Sequence, residues 1–179
     1  MGAPSVDDLD LERVLDLRGR APHVWYRRSA LLVLLAVVVV ALTGAFGQVQ
    51  HTRTVSGPAA TLAVRSPSTV RGGLLVPTRI QITAKRTIAS PQLILGPGFV
   101  RGMQINTLEP AATSETTRHR AGGDALALTY PTLDAGDTLT VYLQLQVDPT
   151  TVGSQDTSVE LDTPGAAALR SPATLRVLP

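Results

Sequence analysis

The sequence predicts an all-β fold: an antiparallel β-sandwich of seven to nine short strands, preceded by one transmembrane α-helix. Three observations predict it. Residues 29–47, SALLVLLAVVVVALTGAFG, form one unbroken apolar run. Segments 76–84 and 138–147 alternate apolar and polar side chains with the period of two that marks a half-buried strand. Between these and further short segments, turn residues recur at intervals typical of sandwiches, and no helical periodicity follows the apolar run.

Taken in chain order, residues 1–28 read as a cytoplasmic tail. Val6, Leu9, Leu11, Val14, Leu15 and Leu17 alternate irregularly with Asp7, Asp8, Asp10, Glu12 and Asp16. A short helix is one reading, with Ser5 and Asp8 spaced like a capping box. The apolar residues miss a single face, and Asp8 with Glu12 and Glu12 with Asp16 repel at the four-residue spacing, which favours disorder. A docking segment that orders on a cytoplasmic partner is the functional alternative.

Residues 29–47 predict a membrane-spanning helix, since nineteen helical residues reach about 28 Å. Arg13, Arg18, Arg20, Arg27 and Arg28 lead it, while only Arg53 and Arg65 trail it at comparable distance. This bias predicts a single-pass protein of the plasma membrane with a cytoplasmic amino terminus and an extracytoplasmic domain. Trp25, Tyr26, Arg27 and Arg28 are the predicted membrane-interface residues, rings at headgroup level and guanidinium groups toward phosphate. Ala41, Gly44 and Ala45 offer a weak small-residue face for a second helix. A cleaved secretory signal is the rival, with Thr43, Ala45 and Gly47 near a small-x-small site. The long, charge-balanced leading segment and the length of the apolar run favour an uncleaved anchor.

Residues 48–58 read as a linker and 59–179 as the extracytoplasmic sandwich. Short strands are predicted near 61–65, 92–95, 102–106, 125–130, 157–161 and 174–178, besides the two alternating segments. In 76–84, Val76, Thr78, Ile80, Ile82 and Ala84 point one way, and Pro77 must lie near a strand start or an edge. In 138–147, Leu139, Val141, Leu143, Leu145 and Val147 face inward and Tyr142 faces out. Ser66-Pro67, Gly72-Gly73, Gly96-Pro97-Gly98, Gly122-Gly123, Ala135-Gly136-Asp137 and Pro164-Gly165 supply the turns. The chain has no cysteine, two phenylalanines and one tryptophan. Neither disulfides nor lipidation of cysteine is available, and the core must be built from Leu, Val and Ile.

Two packed antiparallel sheets of this strand number make the sandwich immunoglobulin-like, without the Cys, Trp, Cys set of antibody domains. The run Leu133-Asp134-Ala135-Gly136-Asp137-Thr138-Leu139-Thr140-Val141, closing at Val147-Asp148-Pro149, resembles the late hairpin of bacterial immunoglobulin-like surface domains. Ser66-Pro67-Ser68-Thr69-Val70-Arg71-Gly72-Gly73 resembles their first turn. Gly102-Met103-Gln104-Ile105-Asn106-Thr107-Leu108-Glu109-Pro110, with Pro149-Thr150-Thr151-Val152-Gly153, is similar to single-pass actinobacterial membrane proteins carrying one such domain. The resemblance implies a fold and transfers no site residue.

No enzyme is predicted, and no catalytic, cofactor or metal site. His23, His51 and His119 are dispersed, and His119 reads as a polar-loop residue rather than a general base. Glu109 with Glu115, or Asp134 with Asp137, are the remaining carboxylate pairs for a remote hydrolase reading; an ordinary turn explains Asp134 and Asp137 better than catalysis or calcium. The formal charge of +2 is spread without a basic stripe, which excludes nucleic acid as the expected partner. The expected function is a membrane-anchored, non-enzymatic binding or scaffold module contacting an integral membrane or envelope protein, with lipid held by 29–47 and no small-molecule substrate. A cell-wall glycan or polymer reader is the alternative. It needs aromatic platforms, for which Phe99, Tyr130 and especially Tyr142 are the candidates.

Overall fold

The computed structural model describes residues 21–42, 49–120 and 122–179. Residues 1–20 of the expected cytoplasmic tail, and residues 43–47 of the expected span with the small residues Gly44 and Ala45, lie outside the described residues. Two compact units divide the chain after Gly47.

In the first unit, helix α1 runs Ala21–Leu42 and is ~33 Å long at 1.5 Å per residue. It begins eight residues before the apolar run, because nothing between His23 and Ser29 breaks a helix, so Trp25, Tyr26, Arg27 and Arg28 sit on its opening turns. Within it, Val24–Leu42 is long and apolar enough to cross a membrane. All side chains from Leu31 to Leu42 are exposed, the pattern of a helix apolar on every face.

The second unit is an immunoglobulin-like antiparallel β-sandwich. Its strands are β1 (Gln50–Ser56), β2 (Ala60–Pro67), β3 (Thr69–Arg71), β4 (Leu75–Ala84), β5 (Gln92–Leu95), β6 (Met103–Glu109), β7 (Ser114–Arg120), β8 (Gly123–Thr129), β9 (Thr138–Val147), β10 (Gly153–Asp156), β11 (Val159–Asp162), β12 (Leu169–Ser171) and β13 (Thr174–Leu178). The first sheet has the order β1-β2-β4-β9-β6 and the second β12-β11-β5-β8-β7; a small third sheet, β10-β13-β3, contains the parallel pair β13-β3.

Both long alternating segments form central strands. Ile80 pairs with Val64 on one side and Val141 on the other, and Val76, Thr78, Ile80, Ile82 and Ala84 all point inward. Pro77 stands two residues before Arg79, the first β4 residue paired with β2, so it does not interrupt that ladder. The core joins Leu62, Ile80 and Leu143 of the first sheet to Leu93, Leu128 and Leu161 of the second, with Leu175 and Val177 of the third. Phe99, on a single 3-10 turn over Pro97–Phe99, and Tyr130 are also buried there, so the core is not purely aliphatic. That turn lies close to its neighbour: a side chain on Gly98 would place its first carbon 2.6 Å from the Asp156 carbonyl oxygen.

Thirteen strands among the described residues exceed the seven to nine expected. β7 (SETTRHR) is polar throughout and β1 (QHTRTVS) is polar but for Val55, while β3, β10 and β12 are only three or four residues long. Residues 50–56 are therefore not linker, and His119 lies in a strand rather than a loop. Both longer segments are sheet edges, held by backbone pairing to one neighbour, so neither needs an apolar stripe. Arg53, opposite inward-facing Val64, is half-buried on β1, the inward-pointing charge that keeps an edge from pairing with another chain.

Candidate binding face of the first sheet

Because Ile80, Val141 and Leu143 face the core, their neighbours in sequence face out. Register then aligns Thr52, Arg65, Arg79, Tyr142 and Glu109 in one row across β1, β2, β4, β9 and β6. The Arg79 guanidinium carbon lies 5.4 Å from the Tyr142 ring centroid, a cation–π contact worth about 0.5–1 kcal/mol at an exposed site. Arg65 is directly opposite Arg79, and like charges at such positions destabilise a sheet. Among the described residues neither guanidinium has a carboxylate within ion-pair distance. Beside them runs a groove of about 420 Å³, lined also by Gln50, Pro77, Thr107 and Gln144. Two unneutralised cations, side-chain amides and half-exposed Tyr142 form a surface suited to anionic groups flanked by apolar ones.

The outer face of the second sheet solves the same electrostatic problem differently. Leu126 and Leu128 of β8 pack toward the core, while Ala125 and Ala127 face out and are buried with Ile94 in a small apolar cluster. Such small residues leave room for long side chains from β7 to lie across the sheet. Arg120 donates two hydrogen bonds to Glu160, at 2.8 and 3.1 Å. Arg118 donates to the Gln92 side-chain oxygen and lies 3.6 Å from Asp162; His119, which register puts on the other face of the sheet, meets Asp124 across the β7-β8 hairpin at 2.5 Å.

The hydrogen bonds from Arg120 hold the Glu160 carboxyl below the usual glutamate range, against the opposing effect of its partial burial. A carboxyl with a depressed folded-state pKa contributes stability above its unfolded pKa, and that contribution is lost as pH falls through the folded pKa. Thermal melts are therefore expected to show the parent losing stability on acidification below the ordinary glutamate pKa. Glu160→Gln should lose less over the same window. Equal acid losses in the two proteins would show that this pair does not couple to folding.

The carboxylate pairs proposed from sequence do not assemble into a catalytic site. Glu109 is on β6 of the first sheet and Glu115 on β7 of the second. Asp134 and Asp137 close a turn: the Asp134 N–H donates to the Asp137 carboxylate and the Asp137 N–H to the Asp134 carbonyl, both at 3.0 Å. Gly136, at φ +94°, and Asp137 then bond the backbone of Ala84. No cluster of three or more His, Asp or Glu that would hold a metal occurs among the described residues. Phe99 and Tyr130 are 2% and 1% exposed, which removes them as platforms. Burial, with a smaller effect of Glu115, pushes the Tyr130 hydroxyl up to about 12. Tyr142 is 51% exposed and remains available. Sequence reasoning singled out Tyr142 and missed Arg65 and Arg79. Their outward direction follows from alternation, but their alignment depends on the register of three strands.

Fold and face together define an immunoglobulin-like sandwich with a cationic, aromatic surface on one sheet. No protein-family model matches the chain, and neither does any curated protein. Among solved structures it is similar to the RrgA Jo.In complex, with TM-score 0.47 and 11% identity over 72% of this chain and 83% of that one. It is also similar to the cohesin module of a Clostridium perfringens family 33 glycoside hydrolase, with TM-score 0.42 and 8% identity over 66% and 96%. A non-cellulosomal cohesin from the archaeon Archaeoglobus fulgidus gives TM-score 0.36 and 13% identity over 64% and 88%. Likenesses of this order carry no information on partner or chemistry.

Proposed function

We propose that this protein is a single-pass, membrane-anchored binding module, non-enzymatic, whose sandwich lies outside the cytoplasm and contacts another integral membrane or envelope protein. Residues 1–28 form the cytoplasmic side, the apolar helix the anchor, and the residues after it the exported domain. The observation that carries this reading is the row Arg65–Arg79–Tyr142. Two opposed cations with no carboxylate at ion-pair distance among the described residues cost the isolated sheet stability, and an anionic partner surface would remove that cost. Its side chains bind and orient; they include no nucleophile beside a base. The arginine bias before the apolar run supports the orientation. β1 begins at Gln50, close in sequence to the apolar run, which supports work near the bilayer.

Crosslinking in intact cells, with affinity purification and mass spectrometry, tests the proposal. One integral membrane protein is expected with the full-length chain and with a version carrying an unrelated anchor. Recovery of wall fragments alone, or of nothing above background, would overturn the protein-partner reading.

A further inference from the structure

We infer that one pole of the sandwich, the pole at which β1 begins, rests on the lipid surface and holds the domain in a defined orientation over the bilayer. The inference rests on the membrane-anchored reading above and adds a second, peripheral lipid contact made by the folded domain.

The large apolar side chains that the sandwich exposes are Val49, Leu74, Leu75, Val100, Tyr142 and Val152. All but Tyr142 belong to a single pole. Val49 directly precedes β1. Leu74 accepts a hydrogen bond from the Val147 N–H at the end of β9, and Gly73 donates to the Val147 carbonyl. The Asp148 N–H donates to the Gly102 carbonyl, and Thr151 packs against Gly102, joining the Val152 loop to the Val100 loop. Arg71, the last residue of β3, and Arg101 are exposed at the same pole.

At the opposite pole the connections carry Lys85, Arg86, Asp134 and Asp137, and no large apolar side chain is exposed there among the described residues. Scattered exposed leucines and valines need no explanation, but their confinement to one end of a domain does. The occupant is identified by continuity. β1, which begins at this pole, is the first strand after the apolar helix in sequence, so a bilayer holding that helix is the apolar surface to which the chain is already tied. Leucine and valine tips at the headgroup boundary with flanking arginines toward phosphate match the chemistry of an interfacial contact.

The chain lacks cysteine, so single-cysteine variants each carry one fluorophore. Leu74→Cys and Val152→Cys report this pole, Asp134→Cys the opposite one and Leu35→Cys the helix. Full-length protein is reconstituted into phosphatidylethanolamine and phosphatidylglycerol vesicles containing brominated lipid, which quenches only at close approach. Severalfold greater quenching is expected at positions 74 and 152 than at 134, and Val100→Asp in the Val152→Cys background should reduce it. Equal, weak quenching at 152 and 134 beside strong quenching at 35 would overturn the pole contact and leave the span standing. Absence of quenching at 35 would overturn the span, and this inference with it. Shielding of 74 and 152 from both lipid and an aqueous quencher would mean that a second copy covers the pole, which also overturns the lipid contact.

Discussion

Ile80→Asp is expected to leave the sandwich unfolded at room temperature. Ile80 is fully buried at the centre of the first sheet, between Val64 and Val141 in register. Deleting a buried aliphatic side chain costs roughly 2–5 kcal/mol, and an unpaired carboxyl in its place adds several more. Domains of this size are stable by only about 5–15 kcal/mol, so the loss is comparable to the total. Circular dichroism melts of the full chain in detergent should show the β transition gone while the helical signal of α1 persists. Ile80→Val, expected to cost about 0.5–1.5 kcal/mol, is the conservative control. A Tm for Ile80→Asp within a few degrees of the parent would contradict the packing described here.

The second large effect is functional. Arg79→Glu should weaken partner capture by at least about tenfold, since a hydrogen bond to a charged group is worth about 1.5–3 kcal/mol and the new carboxylate repels an anionic surface. The same change places glutamate directly opposite Arg65 and turns a repulsive cross-strand pair into an attractive one, at the loss of the contact with Tyr142. Those two effects are each about 0.2–1 kcal/mol and opposed, so the Tm should stay close to the parent value. Unchanged fold with lost capture would separate recognition from stability. Full recovery of the crosslinked partner by Arg79→Glu would remove this face from the proposal.

Elements whose inner face is apolar were legible residue by residue. β4 and β9 show the alternation expected of them, and β5 and β13 have the bounds expected from their flanking turns. Elements that only complete a hydrogen-bonded edge were not. β1 and β7 carry no apolar stripe because one neighbour's backbone supplies their partners, and most of their side chains are exposed. The candidate face divides along the same line. Tyr142 stands out because an aromatic ring interrupts a polar face. Arg65 and Arg79 are ordinary outward arginines fourteen residues apart until the β2-β4 register sets them side by side.

By itself the sequence determined the class of the fold, the apolar helix, the aliphatic composition of most of the core and the outward direction of Tyr142, because period, length and turn chemistry are local properties of the chain. Only the tertiary structure decided which cations stay unneutralised, that Arg120 pairs with Glu160 across three intervening strand contacts, and that exposed leucines and valines from separate loops gather at one pole. These are relations between residues far apart in sequence. Strand order and register create them, and no local pattern encodes either.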